Sequence, residues 1–271
     1  MTMTFKKSVA ALASVAALAA AGNANAFLNN WYIDADGAAG AGAAVQVDEY
    51  LDLNGQAYIN NSFSDATNFT FNEAGNFATT MADSDPLNKP LPTFLISTFT
   101  GTGSGTAGSG ITFDAGGILK VYSGSAIPAN QIGEFVLQQG QGVLQSTSLV
   151  PNGEISLVFK ATSLDAGYFF KDAALTDDLA VGVAAGSSVL FGFASTNASA
   201  LATWSANANT TLTSLYNGAF NPDITNIANN GTTQLVISNN GQFRLAVPEP
   251  TSMALVGLGL TGLAALRRRK A

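Results

Sequence analysis

The chain has 271 residues and contains neither cysteine nor histidine. It therefore has no disulfides, and Ser-His-Asp or Cys-His catalytic sites and histidine-based zinc sites are excluded. Between Phe27 and Val247, five basic and 17 acidic side chains give a net charge of −12, which repels phosphate backbones and excludes nucleic acid as a partner.

The first 26 residues have the three parts of a secretory signal peptide. Lys6 and Lys7 precede an apolar run over residues 9–21, and Ala24-Asn25-Ala26 follows as a small-x-small cleavage signal. This pattern predicts export across the inner membrane and cleavage by signal peptidase after Ala26. The alternative is an N-terminal helix that belongs to the mature fold.

Residues 27–246 have the pattern of a single β domain. Short runs of β-branched and aromatic residues alternate with polar ones, as at Phe69 and Phe71, and are bounded by Gly and Asn. Strands are predicted at residues 44–53, 56–63, 68–72, 93–100, 117–122, 134–138, 143–150, 153–160, 188–194, 232–238 and 241–247. Their number and spacing predict an all-β fold, an antiparallel β-sandwich or a jelly roll.

Turns and helices are predicted from local signals. Five Asn-Gly pairs supply the positive φ that tight hairpins need, and they begin at Asn54, Asn152, Asn217, Asn230 and Asn240. Helical patterns are weak and are confined to residues 172–183 and 198–216.

The C-terminal 25 residues combine three features in a fixed order. Pro248-Glu249-Pro250 comes first, an apolar stretch over residues 253–266 follows, and Arg267, Arg268, Arg269 and Lys270 end the segment. Fourteen residues are fewer than the ~20 of a comfortable membrane span, so the anchor is expected to be weak and transient. The basic cluster keeps its end cytoplasmic, and the prolines hold the preceding backbone extended. The alternative is a buried helix with a basic C-terminal cap.

This order of features resembles the PEP-CTERM sorting signal of Gram-negative bacteria over residues 247–271. The resemblance implies recognition by an exosortase, removal of the tail near Pro248-Glu249-Pro250, and a link to exopolysaccharide production. Residues 27–77, with Tyr58 and spaced phenylalanines, also look like the flocculation-associated members of that group.

Metal binding is restricted to oxygen ligands. Asp34 and Asp36 form one acidic cluster, and Asp48 and Asp52 belong to another. Because calcium takes six to eight oxygen ligands, these four are candidate calcium ligands, although neither cluster has EF-hand spacing. The alternative is that they are solvated turn carboxylates, and no other cofactor is expected.

Enzymatic signals are weaker. The motif Gly103-x-Gly105-x-x-Gly108 is not followed by a helical pattern, so it is interpreted as a hairpin loop and not as a phosphate cradle. Glu73, Glu134 and Glu154 are available for glycoside hydrolysis, but no spacing brings two of them together.

Two tryptophans stand outside clear alternation. Trp31 and Trp204 are expected to be buried, with stacking on a sugar ring as the alternative.

The sequence therefore predicts a non-enzymatic exported protein of the cell surface or extracellular matrix. Adhesion to polysaccharide, flocculation or biofilm formation is the expected role. A secreted glycoside hydrolase and a lectin-like module are the alternatives, since an all-β fold can host all three.

Overall fold

The computed structural model describes residues 26–27, 30–38, 44–83, 88–124, 130–144, 149–150, 155–201 and 230–247. The chain divides into two compact units: Leu28–Leu245, and a unit that combines Met1–Phe27 with Ala246–Ala271. Within the latter, β1 (Ala26–Phe27) pairs antiparallel with Ala246 and Val247.

Within the unit Leu28–Leu245, the described residues form two antiparallel sheets. The small sheet has β2 (Trp31–Ile33) at its centre, with β3 (Val45–Val47) and β11 (Phe169–Phe170) on either side. The strands of the large sheet are β4 (Leu51–Phe63), β5 (Asn68–Ala82), β6 (Lys89–Thr106), β7 (Gly110–Phe113), β8 (Ile118–Ser123), β9 (Gln131–Val143), β10 (Ile155–Leu164), β12 (Leu190–Ala200) and β13 (Gln234–Val247). The helix among the described residues is α1 (Leu179–Ala184), which Asp178 caps through its side chain.

The large sheet closes on itself. Its strand order is β13-β12-β10-β9-β7-β6-β5-β4, and β8 pairs with both β6 and β9. A further ladder joins β13 to β4, from Gln234 opposite Asn60 to Phe243 opposite Leu51. Neighbouring strands thus surround one core, and the predicted all-β antiparallel fold is confirmed.

The core is built by alternation along the strands. In β5, Phe69, Phe71 and Phe77 are buried while Thr70 between them is exposed, as a strand with one buried face requires. Burial of each such side chain contributes roughly 1.5–3 kcal/mol. The inward face of every long strand adds further apolar side chains to the same core.

The small sheet adds its aromatic residues to this core. The ring of Trp31 stacks on Phe169 at 6.3 Å between centroids and meets the edge of Phe191 at 6.1 Å. Phe191 in turn stacks on Phe243 at 4.4 Å. Trp31 is fully buried, so its interpretation as a core residue is confirmed, whereas Trp204 lies outside the described residues.

Two of the predicted Asn-Gly turns are wrong. Asn54-Gly55 lies within β4 and Asn240-Gly241 lies within β13, and the two strands pair there, with Asn54 opposite Asn240. These glycines are needed for space and not for a turn. The backbone of β5 at Asn76 and Phe77 occupies the volume that a side chain at Gly55 would fill, and the ring of Phe193 occupies that volume at Gly241. Gly231 has φ +74° as a turn requires, and the pairs at Asn152 and Asn217 lie outside the described residues.

Other boundaries also differ from prediction. The strand expected at 44–53 is interrupted at Asp48–Tyr50, and that expected at 143–150 is not a strand at residues 144, 149 and 150. The helix expected at 172–183 is confined to α1. Of the helix expected at 198–216, residues 198–200 belong to β12 and residues 202–216 lie outside the described part.

Candidate functional site

A row of exposed, uncharged polar side chains crosses the outer face of the large sheet. Its members lie directly opposite one another on successive strands, in the order Ser62, Thr70, Ser104, Thr112, Gln141 and Ser156. All six side chains are exposed to solvent. Adjacent strands lie about 4.8 Å apart, so the row presents a hydrogen-bonding group at each strand it crosses.

A groove opens along this row where β7, β9 and β10 meet. Its volume is about 310 Å³, and its polar lining comes from Thr112, Gln138, Gln139, Gln141 and Ser156. In β9 the ladder to β8 ends at Val136 and the ladder to β7 begins at Gly140, which leaves an interruption on that side of the strand.

A β-bulge in β9 and β10 shapes the same groove. The register between the two strands shifts between Val158, which lies opposite Gln139, and Phe159, which lies opposite Leu137. The bulge therefore places two consecutive residues, Gln138 and Gln139, at the surface. The Gln138 amide donates to the Val136 carbonyl oxygen at 2.9 Å, which orients its side chain.

The interior of the sheet contains a buried carboxyl group. Glu73 continues the inward alternation of Phe69 and Phe71 and is 5% exposed. It lines a small cavity. The centre of a water molecule can move within about 20 Å³ of it, which is room for one water. Asn239 is the other polar side chain among the described residues of that lining, and the Ser195 hydroxyl donates to its side-chain oxygen at 2.7 Å.

Burial changes the acidity of Glu73. Loss of hydration in this apolar cavity raises the pKa of the Glu73 carboxyl to about 8, because the charged form is disfavoured. Glu134, by contrast, lies on the outer face, where its carboxylate is 3.4 Å from the Lys120 ammonium. These two carboxyl groups therefore do not face one cleft, and Glu154 lies outside the described residues.

A second buried carboxylate, Asp83, holds a turn in place. It accepts backbone N–H groups from Asp48 at 3.0 Å and Glu49 at 2.7 Å, and its oxygen is 3.0 Å from the Lys89 ammonium. Burial alone would raise the pKa of Asp83, but these donors and the Lys89 charge hold it below its usual value. The arrangement fixes the interruption between β3 and β4.

The predicted calcium ligands have separate environments. Asp34 is fully buried, whereas Asp36 is exposed and accepts the Ala38 N–H at 3.1 Å. Asp48 forms an ion pair with Lys89, and Asp52 accepts the Asn54 amide at 3.1 Å.

In the part of the chain that the structure describes, no three acidic side chains are grouped closely enough to hold a metal ion. Calcium binding therefore stays a prediction.

The glycine motif does not form a phosphate site. Gly103 and Gly105 lie in β6, and the chain turns at residues 107–109, where Gly108 has φ +74°. β7 follows directly, so the helix N-terminus that a phosphate cradle requires is missing at this place. The hairpin interpretation is correct for the turn, although half of the motif is strand.

The polar groove was not predicted from the sequence. Its signal was the tetrapeptide Gln138-Gln139-Gly140-Gln141, an amide-rich stretch inside a strand. The register that aligns it with Thr112 and Ser156 joins residues that are distant along the chain.

The processing residues lie mostly outside the described part. Ala26 lies in β1, whereas Ala24, Pro248, Glu249, Pro250, Arg267, Arg268 and Arg269 are outside the described residues. None of the helices within the described ranges is long and apolar enough to cross a membrane.

Comparison with known proteins identifies the C-terminal segment. Residues 246–270 match the family model of the PEP-CTERM protein-sorting motif. No curated protein and no solved structure matches the chain. The motif marks an exported protein that an exosortase sorts to the cell surface or the extracellular space. The chain is therefore a PEP-CTERM sorting domain-containing protein.

Proposed function

We propose that this protein acts outside the cell as a non-enzymatic adhesive component of an exopolysaccharide matrix, in flocculation or biofilm formation. The observation that carries the proposal is the exposed row of hydroxyl and amide side chains across the outer face of the sheet. Such groups both donate and accept hydrogen bonds, as the hydroxyl groups of a sugar polymer do. A sorting motif at residues 246–270 agrees with a place of action outside the cell.

The electrostatic character of the domain supports the same role. Because the net charge from Phe27 to Val247 is −12, the domain stays soluble after export and is repelled by polyanions. Adhesion through uncharged groups is insensitive to the salt of the surroundings, since no ion pairs have to form.

The position of Glu73 speaks against the glycoside hydrolase alternative. Two catalytic carboxyl groups must flank one bond at about 5–9 Å from each other. Glu73 is inside the sheet and Glu134 is outside it, beside Lys120. A lectin-like module remains compatible with adhesion, because both roles use the same outer face.

Deletion of the gene tests the proposal. We expect the deletion strain to form weaker flocs and to retain less polysaccharide, and the full chain supplied in trans to restore both. A chain that ends before Pro248 serves as the matched control for sorting and should not restore them. Unchanged flocs and an unchanged matrix in the deletion strain would overturn the proposed function.

A further inference from the structure

The groove between β7, β9 and β10 has the features of a binding site. Its volume of about 310 Å³ lies at the lower end of the range of ligand pockets, which suits a short segment of an extended molecule. Its polar side chains are amides and hydroxyls, and none of the described residues that line it is charged. The half-buried Val158 adds an apolar surface beside Gln139.

The chemistry of the lining selects the ligand class. Each glutamine amide offers two donor hydrogens and an acceptor oxygen, and each hydroxyl offers both functions. A molecule rich in hydroxyl groups satisfies such a lining, and Val158 can contact the apolar C–H face of a sugar ring. Because the described lining residues carry no positive charge and the domain charge is −12, an acidic polymer finds no attraction in the groove and is repelled.

The surroundings of the groove favour a polymer over a single sugar. Thr112 at its edge lies opposite Ser104, which lies opposite Thr70, and all three are exposed. A chain that leaves the groove across β6 and β5 therefore meets a new hydroxyl group about every 4.8 Å.

We propose that Gln138, Gln139 and Gln141, together with Thr112 and Ser156, form the binding site for a neutral polysaccharide strand that crosses β10, β9 and β7. This inference rests on the proposed function and names its site and ligand class. Binding at the groove is a direct contact by hydrogen bonds and requires no cofactor.

Affinity electrophoresis of the surface-released protein tests this site. The gels contain dextran, mannan or amylopectin as neutral probes, or alginate as an acidic probe. We expect retardation by at least one neutral polymer and none by alginate. The double substitution Gln139→Ala and Gln141→Ala should raise the dissociation constant obtained from the retardation at least about fivefold. Each lost hydrogen bond contributes roughly 0.5–1.5 kcal/mol.

A matched variant separates the groove from the rest of the strand. Gln131 lies on β9, opposite Tyr122 and outside the groove, so Gln131→Ala should bind as the unsubstituted protein does. The melting temperatures of both variants are measured to establish that they fold.

Four outcomes would overturn the site. Two concern the variants: unchanged retardation of the folded double variant, and an equal loss of retardation in Gln131→Ala. Two concern the probes: retardation by alginate alone, and retardation by no polymer. The gene deletion decides the proposed function separately. Weak flocs in the deletion strain together with unchanged binding by the double variant would reject the groove and leave the adhesive role standing.

Discussion

Gly55 of β4 lies directly opposite Phe77 of β5, and the backbone at Asn76 and Phe77 occupies the space that a side chain at Gly55 would need. A Cβ atom at Gly55 would lie 2.0 Å from the Asn76 carbonyl oxygen and 2.7 Å from the Phe77 Cα. Both neighbouring atoms belong to the backbone, so the contact cannot be relieved by a side-chain rotation.

Gly55→Ala is therefore expected to destabilise the fold by about 1–3 kcal/mol, the usual effect of overpacking a core. The melting temperature should fall by several degrees, since about 2–4 °C accompany each kcal/mol in a domain of this size. Gly182→Ala in α1 is the control, because a Cβ there meets only ordinary contacts at 3.6 Å. If Gly55→Ala melted at the same temperature as the unsubstituted protein, the prediction would be wrong, because β4 and β5 could then move apart at this pair without loss of stability.

Glu73 makes stability depend on pH between about 4.5 and 8. Its pKa is raised from 4.5 to about 8 in the folded protein, so the folded state holds this proton more tightly than the unfolded chain. Stability is therefore greatest below about pH 4.5 as far as Glu73 is concerned, and it falls as pH rises towards 8. One pKa unit corresponds to about 1.4 kcal/mol, so the total loss amounts to several kcal/mol.

Glu73→Gln is neutral at every pH and should remove this dependence. We expect the variant to be more stable than the unsubstituted protein at pH 8, and denaturant unfolding at pH 5, 6.5 and 8 measures the difference. Glu134→Gln, at the exposed pair with Lys120, should leave the slope unchanged. If the stability of Glu73→Gln fell with pH as steeply as that of the unsubstituted protein, the pH dependence would not come from the buried carboxyl.

Asp83→Asn tests the turn between β3 and β4. It removes the charge that holds three successive backbone N–H groups and Lys89, and we expect a loss of about 1–3 kcal/mol. Because the folded pKa is lowered, the carboxylate stabilises the protein above the unfolded pKa of 3.8, and this contribution is lost as pH falls through the folded pKa.

Between pH 5 and pH 2, Asp83→Asn should therefore lose less stability than the unsubstituted protein does, as followed by thermal unfolding. Asp177→Asn provides the comparison, since its exposed pair with Lys171 at 3.3 Å contributes less than about 1 kcal/mol. Equal losses in the two variants would contradict the role of Asp83.

Calcium is predicted to stabilise the protein modestly through Asp34, Asp36, Asp48 or Asp52. A ligand that binds the native state alone raises the melting temperature by mass action. We expect a small effect, because Lys89 already neutralises Asp48. Melting curves in millimolar calcium are compared with curves in sodium at the same ionic strength, and identical midpoints would exclude the site.

The strands were predictable where the alternation is local. Phe69 and Phe71 established the inward face of β5, and the same period extended by two residues would have placed Glu73 inside the sheet. The alternation alone did not predict a buried Glu73, because carboxyl groups usually prefer solvent to the interior of a sheet.

The errors have causes that lie far away in the sequence. Gly241 was expected to form a turn, but a Cβ at that residue would lie 2.3 Å from the ring of Phe193 on the neighbouring strand. Likewise, the closure of the sheet depends on β13 meeting β4, and the groove depends on a bulge opposite Val158. No local residue pattern specifies these registers, since they arise from packing across the whole sheet.

The intact mass of the protein released from the cell surface tests sorting by an exosortase most directly. We predict a chain that begins at Phe27 and ends near Pro248-Glu249-Pro250, with Arg267, Arg268 and Arg269 removed along with the apolar segment. Replacement of Pro248, Glu249 and Pro250 by alanine should leave the uncut protein in the inner membrane. A released protein that still carries residues 253–271 would contradict sorting by an exosortase.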